Sequence, residues 1–388
     1  MTAIPIADRL QRMRPSYIRD ILRAASADNV LSLAGGLPAL ELFPMRQIEA
    51  AMQTVGKQAQ LFQYGETRGY PPLLDYLRDL LAIPADHDLL ISNGSQQGLD
   101  LIARAFLNPG DVVVVEAPCY LGALQVFELA DAAVRLVAQT PQGPDLQQLE
   151  SLFAAGDVRL FYAVPDFHNP TGICWSLATR ERVAALCEQF GVLLVEDAPY
   201  RNLRFAGEEL PLVAAALPSQ ALVLRSSSKI STPGMRLGMV SGPRQFIDAL
   251  VLVKQAADLH TNVPLQAALL EVISQASFPR HLARLRVCYR RRYRALLGAL
   301  QAQGWQPAAV CGGMFVWLEL EDIDARALAA EALRCGVAVV PGEAFYPADV
   351  AVRPALRLNF THCNEQAIEE AVARLAVAIE TLQRQDAG

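Results

Sequence analysis

RSSSKISTPGMRLG, residues 225–238, sets one lysine, Lys229, after three serines, Ser226 to Ser228, and follows it with Pro233, Gly234 and Arg236. A lysine amine condenses with a carbonyl most readily when burial or nearby cations disfavour its charged form. Hydroxyl donors and an arginine within one tight loop suit a phosphate dianion. A molecule that is both an aldehyde and a phosphate would use both features. The plainer alternative is a surface lysine in a serine-rich loop, and the rest of the chain decides between them.

Working outward, Lys229 follows an apolar strand at Ala221 to Leu224. Upstream, strand Val192 to Val195 leads into EDAPY (196–200), and a helix from about Ser176 to Phe190 precedes it. A strand near Leu160 to Val164 ends in PDFHNPTG (165–172), and strand Val112 to Glu116 ends before Pro118, Cys119 and Tyr120. Strands alternating with helices predict a mostly parallel, doubly covered sheet, whose ligands bind at the carboxyl ends of the strands. Tyr120, Asn169, Asp197, Tyr200 and Lys229 all fall near such ends. Earlier, Asn93-Gly94-Ser95 opens a helix with Leu99, Ile102 and Phe106 on its apolar face. Ser95 is either an ordinary helix cap or part of an anion site made by free amides. G-S-Q-Q-G is neither a nucleophile elbow nor a phosphate-binding loop of nucleotide hydrolases.

The flanks complete the plan. Residues 8–26 predict a short amphipathic helix with Ile18, Ile21 and Leu22 on one face, and LSLAGGLPALELFP (31–44) reads as a strand broken at Gly35-Gly36. That pair is a turn or a place of close backbone approach. Tyr64 and Tyr70 stand in the loop before a helix starting near Pro71-Pro72, with ordinary packing as the alternative role. A long Arg- and Leu-rich helix, Phe278 to Gln303, precedes two strands, GGMFVWLEL (312–320) and LRLNF (356–360), and helices near 325–335 and 364–383. The expected organisation is a large domain over 45–277, a smaller α+β domain over 278–388, and an N-terminal segment, 1–44, that joins the latter.

Composition narrows the class. The 388 residues are 52% hydrophobic and 19% charged, as in a large α/β enzyme. A net charge of −6 and the lack of a long basic run disfavour nucleic acid as a partner. Seven scattered cysteines without a C-x-x-C pair suit reduced thiols, and no histidine pair has metal-ligand spacing, so no metal is expected. No secretion signal or membrane span is read, and a cytoplasmic enzyme is expected.

The residue set suits pyridoxal phosphate. A buried carboxylate, Asp197, keeps a ring nitrogen protonated, while Tyr200 and Asn169 donate near the ring oxygen and Tyr120 stacks on its face. Lys229, once freed, carries a proton at the substrate α-carbon, and Arg357 suits an α-carboxylate.

Taken with QYGETRGYPPLLDYL, SNGSQQGLDLIARAFLNPGD and the motifs above, the chain resembles fold type I pyridoxal phosphate aminotransferases over about Ser16 to Ala376. It is similar to the subgroup that includes the 2-aminoadipate and kynurenine aminotransferases. The resemblance implies a seven-stranded, mostly parallel sheet between helices. Lys229 would hold the cofactor, with Ser95, Gln96, Ser226, Ser228 and Arg236 on its phosphate. Tyr64 would reach the phosphate of a neighbouring subunit, making a homodimer with shared active sites. Arg357, Asn169 and the Gly36 backbone would bind the α-carboxylate, and Arg19 a side-chain carboxylate. Two departures, Ala198 for a second acid and Ser227 for a bulky residue, are expected to alter the pocket wall. The implied reaction moves an amino group from an aromatic, branched or dicarboxylic amino acid to 2-oxoglutarate. The alternative is a pyridoxal phosphate enzyme of specialised metabolism performing β-elimination, replacement or cyclisation. A transcription regulator is not expected, because only 15 residues precede the SYIRDIL helix.

Overall fold

The computed structural model describes residues 4, 6, 7, 9, 10, 21, 23, 29–347 and 350–386. Arg19, Ile18 and Leu22, with most of the helix expected over 8–26, lie outside the described residues. Numbered in chain order, the strands are β1 Leu31–Ser32, β2 His87–Ser92, β3 Val112–Ala117, β4 Ala133–Thr140, β5 Gly143–Pro144, β6 Val158–Ala163 and β7 Leu193–Asp197. They continue as β8 Ala221–Ser226, β9 Gly238–Pro243, β10 Phe315–Glu319, β11 Val337–Ala338, β12 Val340–Pro341 and β13 Ala355–Asn359.

Seven of these form the main sheet in the order β2-β9-β8-β7-β6-β3-β4, and the two-residue β5 adds a hairpin outside β4. Strands β8, β7, β6, β3 and β4 are mutually parallel, whereas β9 runs antiparallel to both its neighbours. The central strands are continuous apolar runs because both sheet faces are covered. Val113, Val115, Leu160 and Tyr162 enter one core, while Val114, Phe161 and Ala163 enter the core on the opposite face. Helix boundaries follow local chemistry. Ser176 Oγ accepts the Thr179 N–H to open the helix Leu177–Phe190, which stops at Gly191 in the left-handed region (φ 67°).

A second, antiparallel sheet has the order β10-β13-β12, and β1 pairs in parallel with β11. The helices Phe278–Ala302, Ala325–Arg334 and Glu365–Asp386 pack here, in a core that also takes Leu33, Ala39, Phe167 and Tyr200. The strand expected over 31–44 is only two residues long. Beyond Ser32 the chain bends at Ala34 and Gly35, and the Gly36 carbonyl meets Lys229 past the carboxyl end of β8. The strand expected from 312 begins at Phe315, because Gly312 and Gly313 lie against the Phe167 ring with no room for a side chain. That contact joins the second sheet to the loop that carries Asn169.

The same loop is held from below by Asp166, which is fully buried and takes Arg180 at 2.9 Å, Arg201 at 2.8 Å and Arg204 at 3.0 Å. Burial pushes this carboxyl up, but Arg180 and Arg201 outweigh it and hold it below the ordinary range. Asp166→Asn is expected to destabilise the fold by about 3–5 kcal/mol, because the buried Arg180 loses its carboxylate and Arg201 and Arg204 lose their shared one, Arg201 keeping only Glu209. A depressed carboxyl stabilises the fold above its unfolded pKa of about 4 and loses that contribution as pH falls through the folded value. Denaturant titrations should therefore show the gap between wild type and Asp166→Asn shrinking below about pH 4.

Candidate active site

A cavity of about 430 Å³ opens at the carboxyl ends of β3, β6, β7 and β8. Phe315 and Arg357 of the second sheet also line it, as does Gly36. Asp197 is the last residue of β7 and is buried. Its Oδ2 accepts from the Tyr162 hydroxyl at 2.7 Å, while its Oδ1 is buried without a partner. Burial pushes the carboxyl up to about 7, against the pull of the Tyr162 hydrogen bond.

Lys229 Nζ donates to the Gly36 carbonyl at 3.0 Å. Burial first, and then the charges of Arg236 and Arg357, bring its pKa down to about 8. The neutral, nucleophilic form of the amine is therefore far more populated near physiological pH than in an ordinary lysine. The double glycine accordingly serves close approach as well as a bend, since a Cβ on Gly36 would lie 3.1 Å from the Phe315 ring.

Among the anion-binding candidates, Ser95 is the first residue of the helix Ser95–Phe106 and its hydroxyl does not cap it. The cap is Gly94, at φ 79°, so the first amides of the helix keep no side-chain partner. Gly238 packs so closely here that a Cβ would lie 2.5 Å from Ser95 N. The Arg236 guanidinium lies against Gly94, and Ser226 Oγ accepts the Ser228 N–H at 3.2 Å. Gln96 spends its side chain elsewhere, donating to the Gly122 carbonyl at 2.8 Å and accepting from the Tyr120 hydroxyl at 3.1 Å. It thereby fixes the Tyr120 ring.

Arg357, on β13, is buried between the rings of Phe315 (4.4 Å) and Phe345 (4.8 Å). Its Nη1 donates to Asn169 Oδ1 at 2.9 Å and its Nη2 to the Ala34 carbonyl, but its buried Nε has no partner. Burial lowers this guanidinium to about 10. Tyr200, edge-on to Phe315 at 5.9 Å, has its hydroxyl pushed well up by burial.

Twelve anticipated residues thus share one cavity. Tyr64 does not line it; it is 80% exposed, edge-on to His260 at 5.9 Å. The expected effect of the two departures on the pocket wall is corrected. Ser227 turns its hydroxyl to the Leu237 carbonyl at 2.7 Å, Ala198 is buried in the strand connection, and neither lines the cavity. Sequence reasoning missed Tyr162, Phe315 and Gln125. Tyr162 pairs in register with Val195, two residues before Asp197, so only strand register reveals it.

The donor set fits pyridoxal phosphate. The unpartnered Asp197 Oδ1 suits a protonated ring nitrogen, the bare helix amides with Arg236 suit a phosphate, and Lys229 supplies the amine. Among the described residues no cluster could hold a metal ion, and no helix is long and apolar enough to cross a membrane.

Residues 28–375 match the family described as aminotransferase class I and II. The chain is 37% identical to aromatic-amino-acid aminotransferase 1 of Thermococcus litoralis, over 95% of this chain and 92% of that one. It is 36% identical to the 2-aminoadipate transaminase of Thermus thermophilus, over 96% and 95%. The crystal structure of Pyrococcus horikoshii kynurenine aminotransferase in complex with PMP superposes with a TM-score of 0.92 at 35% identity, covering 97% of each chain.

The field at Lys229 has a measurable consequence. Labelling of cofactor-free protein by an amine reagent, read on the Lys229 peptide, is expected to titrate near pH 8, against 10.5 for an ordinary lysine. Arg236→Gln should move that midpoint upward, since it removes a cation that disfavours the charged amine. A midpoint near the ordinary value in wild type would refute this electrostatic picture.

Proposed function

The chain belongs to the class I and II aminotransferases, and from that membership we propose that it moves the amino group of an aromatic, branched-chain or dicarboxylic amino acid to 2-oxoglutarate by a ping-pong cycle. It is a pyridoxal phosphate-dependent aminotransferase acting on amino acids and 2-oxo acids. The observation that carries the site assignment is the meeting, in one cavity, of the unpartnered Asp197 oxygen, the neutralisable Lys229 amine and the buried Arg357 fork.

When bound, the cofactor supplies an electron sink for the pair left on the substrate α-carbon. Lys229 would hold it. Asp197 would keep a proton on its ring nitrogen, ionising as it gains that partner, and Tyr162 would fix the carboxylate's other oxygen. Tyr200 and Asn169 would donate to the ring oxygen, and Tyr120, braced by Gln96, would cover the ring. Ser95, Ser226, Ser228, Arg236 and the amides at Ser95 and Gln96 would hold the phosphate.

The substrate's α-carboxylate would take the free Nε face of Arg357, with Asn169 and the Gly36 backbone beside it. Lys229 Nζ, once free, would carry the proton between the substrate α-carbon and the cofactor, giving up within each half-cycle the proton it takes. We assign the enzyme to the cytoplasm on its seven free cysteines, and the large and small domains to 45–277 and 278–388 with 1–44. The exposed Tyr64 supports a homodimer in which it reaches the neighbour's phosphate.

Incubating the cofactor-loaded enzyme with single amino acids, without a 2-oxo acid, should convert the bound cofactor to its pyridoxamine form. Adding 2-oxoglutarate should reverse the change. Release of ammonia or a side-chain fragment would instead establish elimination or cyclisation. Only three lysines exist, Lys57, Lys229 and Lys254, so borohydride reduction should fix the cofactor to Lys229 alone. A label on either other lysine would overturn the assignment. Light scattering should report twice the 42.2 kDa chain mass, and an active monomer would remove Tyr64 from the site.

A further inference from the structure

Behind the bare helix terminus at Gly94 and Ser95 lies a polar cluster that does not line the cavity. Lys254, in the last turn of the helix Arg244–Ala257, is fully buried and pairs with Asp258 at 2.7 Å. Lys254 Nζ has three acceptors: Asp258 Oδ1 at 2.7 Å, Asp258 Oδ2 at 2.9 Å and Gln97 Oε1 at 3.1 Å. Asp258 Oδ2 also accepts from Gln97 Nε2 at 2.6 Å and from Asn93 Nδ2 at 2.5 Å. Gln97 Oε1 in turn accepts the Asn93 backbone N–H at 2.7 Å.

The geometry is that of a clamp. Asn93 and Gln97 bracket Gly94 and Ser95, and one carboxylate grips both brackets. Gly238 presses on the same two residues. Gly94 carries φ 79°, and no side chain caps the helix. The directions of the Ser95 and Gln96 amides are therefore set by these neighbours. A buried ammonium without its carboxylate would be costly, so the pair forms as a unit.

We propose that Asp258, with Lys254, is a positioning residue for phosphate binding, holding the 93–97 turn so that its free amides converge on the cofactor's phosphate. This rests on the cofactor assignment above. The clamp acts on the phosphate end alone, because none of its members meets Lys229, Asp197 or Tyr200 through a hydrogen bond. The phosphorylated and unphosphorylated forms of the same aldehyde therefore separate its effect from a general loss of folding.

Cofactor-free wild type and Asp258→Asn, as full chains, are titrated with pyridoxal 5'-phosphate and with pyridoxal, following visible absorbance. The variant is expected to lose about tenfold or more in affinity for the phosphorylated form, and to stay within about twofold for pyridoxal. Asn93→Ala removes one arm of the clamp at a partly exposed position and is expected to show the same selectivity, should Asp258→Asn fold poorly. Equal losses for both aldehydes, or no loss for either, overturn the proposal. Failure of wild type to bind the phosphorylated form would overturn the cofactor assignment itself.

Discussion

A buried carboxylate with one oxygen hydrogen-bonded and the other facing no partner is uncomfortable in either protonation state. Asp197 is in that position at the end of β7, with Tyr162 on Oδ2 and nothing on Oδ1. Ionised, it pays for desolvation; protonated, it leaves a hydroxyl group with no acceptor on the open side. A bound N–H⁺ resolves both at once, since it supplies a donor and a charge together. The strand order makes this arrangement possible. With β7 in the middle of the sheet, between β6 and β8, its terminal residue is shielded on both sides.

The opposite charge problem is solved by the second sheet. Arg357 arrives from β13, 188 residues after Asn169, and is sandwiched by two aromatic rings while one nitrogen lacks a partner. Arginine tolerates this because its delocalised charge is weakly hydrated and stacks on rings. Its field then acts back on Lys229, which burial and two guanidiniums bring to about 8. Substrate recognition and amine reactivity are thus coupled electrostatically. A carboxylate bound on Arg357 neutralises one of the charges that keep Lys229 acidic, making the amine a stronger base when a proton must be moved.

Much of this was legible in the sequence, for physical reasons. Continuous apolar runs such as VVVV before Glu116 can only be strands buried on both faces, and polar residues just beyond them must sit at the sheet's carboxyl edge. What escaped reading depended on register and on distant pairing. GMVSGP, the antiparallel β9, has glycine and proline where a strand pattern wants branched residues, and it is held by neighbours on both sides. Tyr162 looks like any core aromatic until β6 is aligned with β7. The Asn93–Asp258 contact spans 165 residues and has no periodic signature. Ser227 and Ala198 show the reverse error: as departures from the family pattern they suggested a changed wall, whereas both lie just past strand ends, Ser227 turned to the Leu237 carbonyl and Ala198 buried.

The basic residues themselves follow a division of labour. Of the 34 lysines and arginines, three are lysine; Lys254 is buried and Lys229 half-buried, both near the cofactor region. Arginine serves where a planar, permanently charged fork is wanted, as in the three guanidiniums around Asp166. Lysine is kept where the ammonium's compactness or its titration matters. Lys254 presents its ammonium to three acceptors, and Lys229 must lose its proton to act as a nucleophile, which arginine cannot do. Burial lowers the pKa of both amines; Asp258 opposes that fall at Lys254, whereas Arg236 and Arg357 add to it at Lys229. The charges beside each amine thus separate the lysine that braces the Asn93–Gln97 turn from the lysine that performs the chemistry.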